Sequence, residues 1–177
     1  MKFFVGVVPP PGIYEQLQHI QTQFGDNRLE PHVTIRPPVT VLHLAPWVQA
    51  IEDICATVEP FGIQLPGTGF FGDRVLFVSV QSPGLTQLHN LFIPALQIFE
   101  KEEISKNEAA FHPHLTLGRK WCGFTTDDFA AMKLLVDEYL QASFVWFTVT
   151  QIRIYYKPDN HGRFETYRDI SLNNNGL

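Results

Sequence analysis

Apolar residues in this chain recur in two rhythms, a period of two over short runs and a period near 3.6 over longer ones. The short runs predict strands at Phe3 to Val8, His32 to Ile35, Ile63 to Leu65, Val75 to Val80, His114 to Leu117, Phe144 to Tyr156 and Thr166 to Leu172. The longer runs predict helices over Ile13 to Phe24, Pro46 to Val58, Leu85 to Phe99 and Thr126 to Gln141. The last is the best marked, with Thr125 or Thr126 as its cap and Asp127 and Asp128 at its positive end. Gly67, Gly69 and Gly72 punctuate a predicted loop, Asp159 to Gly162 reads as a hairpin turn, and Asn173 to Leu177 as a frayed tail. Strands and helices interleave, yet several connections are short enough for antiparallel pairing. The pattern predicts an α+β fold with antiparallel sheets flanked by helices, not a doubly wound parallel sheet.

The pattern also repeats. Phe3 to Ile20 reads as strand, Pro/Gly break and helix, and Val75 to Leu91 reads the same way, with Gly12 aligned to Gly84. Further on, His32 aligns with His114 at an offset of 114 − 32 = 82, so the second copy carries extra residues, assigned to the polar stretch around Lys101 to Glu108. A helical segment follows each histidine (Leu44 to Val58, Thr125 to Gln141), and then a strand from Phe61 or Phe144. Units of this length predict a bilobal duplicated domain spanning 1–177, two intertwined lobes about a pseudo-twofold axis with a central cleft. A solenoid needs several shorter units.

Composition narrows the function. An apolar fraction of 45% with 15 Phe supports a buried core. A net charge of −5 disfavours a protein that tracks long duplex nucleic acid through a basic face, while leaving room for a local phosphate pocket. Two cysteines, Cys55 and Cys122, are too few for a disulfide framework and suit a reducing compartment. Pro interrupts the first apolar run almost at once, so that run reads as a strand and not a signal peptide. No stretch approaches the ~18 apolar residues of a membrane span. The expectation is a cytoplasmic monomer.

The candidate chemistry lies in a tripeptide that occurs twice, His32-Val33-Thr34 in PHVTI and His114-Leu115-Thr116 in PHLTL. Side chains two apart share one face of a strand. Each motif therefore presents an imidazole and a hydroxyl on one side and apolar residues on the other. One such strand is unremarkable; two in matched contexts point to two histidines serving one site.

The paired motifs, PHVTI and HPHLTLGR, resemble the signature of the 2H phosphoesterase superfamily, also called the 2′-5′ RNA ligase or cyclic phosphodiesterase-like family. The resemblance covers nearly the whole chain. It implies a bilobal α+β domain whose motifs face each other across a central cleft, acting without metal or other cofactor on RNA ends or small nucleotides. The implied activity is opening of 2′,3′-cyclic phosphates, or joining or cleaving of 2′-5′ linkages. Arg36 and Arg119 also sit where the ligase-like branch carries basic residues.

The residues support such chemistry on their own. Opening a cyclic phosphodiester requires one group to deprotonate water and another to protonate the leaving alkoxide. Imidazole, with an ordinary pKa of ~6.5, serves either role. Thr34 and Thr116 would donate to the non-bridging oxygens, and Arg36 and Arg119 would add charge-assisted contacts. The sequence leaves the division of roles open, with a preference for His114 as base and His32 as acid. His112 borders the site, and Phe70, Phe71, Tyr155 and Tyr156 are candidates to stack a base, Phe71 and Tyr155 foremost.

Other readings bear on the same residues. His112 and His114 could ligate a transition metal with His32 or Cys122, making a metal-dependent hydrolase, but no carboxylate cluster lies nearby and Pro113 separates the pair. A non-catalytic RNA-end or nucleotide binding module is the main alternative to an enzyme. His19 and His89 fall on helices and read as structural, and His161 in a turn reads as solvated. Gly67, Gly69 and Gly72 match a dinucleotide fingerprint in spacing only, because no helix follows.

Overall fold

The computed structural model describes residues 1–25, 29–101, 111–158 and 162–173. The chain runs β1 (Lys2–Val7), α1 (Pro11–Thr22), β2 (Val33–Thr40), α2 (Leu44–Cys55), β3 (Phe61–Gln64), β4 (Thr68–Phe71) and β5 (Val75–Ser79). It continues through α3 (Pro83–Leu96), β6 (His114–Arg119), α4 (Thr126–Ser143), β7 (Trp146–Val149), β8 (Gln151–Lys157) and β9 (Glu165–Ser171). Seven strands form one antiparallel sheet in the order β4-β5-β6-β2-β1-β8-β9, and β3 pairs with β7 in a second. Outward from the central β6–β2 pair the order is symmetric, β5 matching β1 and β4 matching β8. Each half also lends a strand to the edge of the other: β4 of the first lies on β5, and β8 of the second lies on β1, with β9 added beyond it. The fold is α+β.

One apolar layer joins the helices to one face of the sheet. Val5 and Val7 of β1, Val33 and Ile35 of β2, and Leu115 and Leu117 of β6 share a cluster with Leu17 of α1, Trp47 of α2, Leu88 of α3 and Met132 of α4. Phe4, Phe77 and Tyr155 are buried too but lie outside that cluster, on the opposite face of the sheet. Helix α4 has the predicted start: Thr125 and Asp128 form a reciprocal capping box.

Three segments differ from the sequence expectation. The predicted glycine loop contains β4, whose Gly69 is needed because a Cβ there would come within 2.8 Å of the Phe77 ring. Phe144 to Tyr156 is not one strand. Phe144 closes α4 with φ 41, and β7 and β8 then enter different sheets. Strand β2 also runs on past Ile35 through Pro37 and Pro38, which stand where its register slips against β1, so no ladder donor is lost. The expected insertion near 101–108, the turn at 159–162 with His161, and the tail at 173–177 extend into 102–110, 159–161 and 174–177, outside the described residues.

The central strands β2 and β6 are in register at a single pair, Val33 with Leu115, and separate beyond it. Carbonyls that a longer ladder would occupy find helix side chains instead. Gln21 of α1 donates from Nε2 to the Thr116 and Leu117 carbonyls, each at 3.1 Å. On the other side, His89 of α3 donates from Nδ1 to the Ile35 carbonyl at 2.8 Å. Ile35 and Leu117 occupy equivalent places in the two motifs, so both strands are plugged at one point. Changing Gln21→Ala strands buried carbonyls and is expected to cost about 1–3 kcal/mol. A lower urea midpoint at unchanged m-value checks it; an unchanged midpoint would mean water fills the gap at no cost.

Candidate active site

The Val33–Leu115 pair fixes how the two motifs meet. An antiparallel ladder has a local twofold at each pair; here it exchanges residue 33 with 115, hence 32 with 114 and 34 with 116. The offset of 82 seen in the sequence is thus the register of the central pair. His32 lies across from Thr116, Thr34 across from His114, and the two histidines lie on a diagonal. Diagonal neighbours in a regular ladder lie roughly 7–8 Å apart, and the charge of His114 reaches the His32 ring, so the two imidazoles share one space. Val33 and Leu115 point into the helix-packed core, so the His and Thr side chains face the other way.

Both rings are held by the same local device. His32 Nδ1 lies 2.8 Å from the Glu30 carbonyl, and His114 Nδ1 lies 2.8 Å from the His112 carbonyl. A proline separates the two residues each time, Pro31 or Pro113, and proline holds its predecessor in extended backbone. A carbonyl only accepts, so Nδ1 carries the proton and Nε2 keeps its lone pair free. Gly6 on β1 makes room beside His32, since a Cβ there would lie 3.0 Å from the Val33 carbonyl and 3.5 Å from the ring.

Burial lowers both imidazole pKa values. His32 is pushed down to about 4, mainly by desolvation, with Arg119 and His114 adding repulsion and the Glu30 carbonyl and carboxylate opposing it. His114 is lowered as well, again chiefly by desolvation, with repulsion from His112 and Arg119 and an opposing bond to the His112 carbonyl. The charge of Arg119 therefore reaches both rings.

Arg36 and Arg119 part company, and a bulge is the reason. The ladder slips between Val5/Arg36 and Gly6/Thr34 on one side, and between Leu76/Gly118 and Phe77/Thr116 on the other. One extra residue reverses the facing of everything beyond it. A residue four after the histidine then turns inward, and one five after turns toward the cleft. Arg36 is fully buried and ion-paired with Glu100, whose Oε1 also accepts from Arg36 Nε at 3.1 Å and Trp47 Nε1 at 3.0 Å. The expected contact of Arg36 with substrate is thereby corrected. Arg119 instead lies half-buried beside the motif, its Nη2 3.4 Å from the Thr116 hydroxyl.

Tyr155 is also corrected, from a stacking platform to a buried support. Its ring stacks on Phe4 at 4.3 Å and 5.7 Å from the His32 ring, and its hydroxyl donates to Glu30 Oε1 at 2.6 Å. Burial and the Glu30 carboxylate push its phenol up. Phe71 does border the second histidine, edge-on to His114 at 4.8 Å and 39% exposed. His112 is exposed, its ring 5.4 Å from Phe71 and 6.4 Å from His114. Among the described residues no three of His, Cys, Asp and Glu gather as a metal site, and no helix is long and apolar enough to cross a membrane. Sequence reasoning passed over Glu30, Arg153 and Phe4. Only the identical Pro before each histidine hinted that residue 30 matters.

The sequence model of the 2′-5′ RNA ligase superfamily matches residues 9–160. The chain belongs to that superfamily. Among solved structures, TT0787 of Thermus thermophilus is similar at 18% identity and TM-score 0.72, with 98% of each chain covered. LigT of E. coli in its apo form is similar at 20% identity and TM-score 0.57, covering 97% of this chain and 96% of that one. E. coli LigT complexed with 3′-AMP aligns at 18% identity and TM-score 0.60, over 97% of each chain. Comparison with curated protein sequences gives no match. As a superfamily member the chain is a phosphoesterase- or ligase-type enzyme acting on nucleotide phosphoester linkages.

Proposed function

We propose that this superfamily member is a metal-independent phosphodiesterase that opens 2′,3′-cyclic phosphates, or cleaves 2′-5′ linkages, of RNA ends or small nucleotides. The observation that carries the reading is the diagonal His32–His114 pair, each with Nδ1 tied to a carbonyl and Nε2 free. His32 Nε2 takes the proton of an attacking water as oxygen bonds to phosphorus. His114 Nε2 gives its proton to the ribose oxygen as the old P–O bond breaks. This order reverses the one the sequence favoured, because the more enclosed His32, with its pKa near 4, stays neutral wherever the protein is used. Thr34, Thr116 and Arg119 face the non-bridging oxygens and offset their charge. Phe71 and the exposed His112 border the space for a base. The fold neighbour LigT of E. coli is known complexed with 3′-AMP and with ATP, which supports a nucleotide as the ligand.

The deciding experiment incubates the protein with 2′,3′-cyclic nucleotides, cyclic-ended oligonucleotides and 2′-5′-linked dinucleotides, with and without exhaustive chelation. Turnover that survives chelation supports the reading. Binding without turnover would make the chain a nucleotide-binding module, and activity lost to chelator would move it to metal-dependent hydrolysis.

The lowered pKa values set a pH signature. The reactive form of the free protein needs one imidazole neutral and the other protonated. The acid limb of kcat/KM should therefore lie near 4, and the alkaline limb below the ordinary 6.5. Activity at low substrate is already falling before pH 6.5 is reached. Bound phosphate stabilises the imidazolium, so the kcat profile extends further to the alkaline side. A kcat/KM profile flat from pH 4 to 8 would exclude proton transfer by this pair.

A further inference from the structure

We infer that Glu30 is the positioning residue of His32, clamped through its side chain so that its carbonyl holds the imidazole in one tautomer and one orientation. The inference rests on the reading of His32 and His114 as the reacting pair. Glu30 acts at two points. Its carbonyl accepts from His32 Nδ1 at 2.8 Å. Its carboxylate Oε1 accepts from the Tyr155 hydroxyl at 2.6 Å and from Arg153 Nη1 at 2.8 Å.

The clamp is itself anchored. Arg153 is gripped from its far side by Asp169 of β9, with Nε–Oδ1 at 2.6 Å and Nη2–Oδ2 at 2.8 Å, a two-pronged geometry that fixes the plane of the guanidinium. Tyr155 is 1% exposed and lies almost parallel to Phe4, with 8° between the rings. Neither donor can follow a wandering carboxylate. The carboxylate is therefore held from two positions of β8, residues 153 and 155, and the peptide that carries the Glu30 carbonyl is held with it.

The second histidine has the carbonyl without the clamp. His112 supplies the same 2.8 Å contact to His114, but its own side chain is exposed and lies against the Phe71 and Phe77 rings. The twofold relation of the motifs is thus broken one residue before each proline, Glu on one side and His on the other. The carbonyl behind His32 belongs to a clamped residue, and the one behind His114 to a residue without that clamp. A base that must meet a water in line with a phosphorus gains from such a clamp, since small misplacements at a reacting atom cost rate and not affinity.

The test reads the imidazoles directly. In the intact protein, 15N NMR of labelled histidine should show His32 almost wholly as the Nδ1–H tautomer. Glu30→Ala should shift His32 toward a mixture of tautomers and leave His114 unchanged. With 2′,3′-cyclic AMP as substrate, kcat should fall about 10- to 100-fold with KM little altered. Glu30→Gln, which keeps an acceptor for Tyr155, should restore most of both signals. Tyr155→Phe, which keeps the ring and removes one anchor, should give an intermediate shift, and it serves if Glu30→Ala does not fold. Unchanged His32 resonances in these variants would overturn the inference, as would equal shifts at His32 and His114. The NMR arm needs no turnover, so it decides the role of Glu30 even if the cyclic phosphate proves not to be a substrate.

Discussion

Replacing His32 or His114 by alanine is expected to lower turnover of a 2′,3′-cyclic nucleotide by about 10²–10⁴-fold, the range of a positioned general acid or base. The two variants should each cost nearly as much as the double variant, because the proton taken on one side of phosphorus is needed on the other. A p-nitrophenyl phosphodiester separates the roles. Its leaving group departs without a proton, so His114→Ala should recover most of its rate on that ester while His32→Ala should not. The opposite pattern would restore the order the sequence favoured. Near-native turnover of the cyclic nucleotide in either single variant would refute the pairing altogether, whatever the fold.

Arg36→Ala should act on stability and not on binding. It would leave the Glu100 carboxylate buried against Trp47 without its cation, and breaking one side of a buried ion pair costs about 3–5 kcal/mol. For a chain of this size that corresponds to a fall in Tm on the order of 10 °C. Arg36→Met with Glu100→Leu together should recover most of the loss, since no lone charge is then buried. Arg119→Ala gives the contrast. Its side chain is only half-buried beside Thr116, so Tm should hold while kcat/KM falls. An Arg36→Ala protein as stable as the native one but with a raised KM would return Arg36 to the substrate.

Much of this was legible in the residues themselves. The two HxT tripeptides, their matched contexts and their offset pointed to a paired-histidine site and the symmetric α+β arrangement, because strand periodicity alone places His and Thr on one face. The capping box of α4 was equally local. The reading failed where a distant partner set the outcome. Glycine at 67 and 69 speaks for a loop, yet pairing with β5 and the Phe77 ring that crosses Gly69 make that segment a strand. Aromatic residues near the cleft looked alike in sequence, yet Phe71 borders His114 while Tyr155 is sealed beneath His32.

Whatever depends on neighbours a few positions apart is written in the chain: the strands and helices, the face each motif presents, and the proline-set carbonyl behind each imidazole. Which basic residue reaches the cleft is not, because it depends on long-range pairing. The bulges after the motifs are a property of β1 and β5 pairing with β2 and β6, and a one-residue slip reverses every side chain beyond it. The same holds for Glu30 and Arg153, 123 positions apart, which meet under His32. No local pattern encodes that contact, because it exists only once β8 has crossed back to lie against β1.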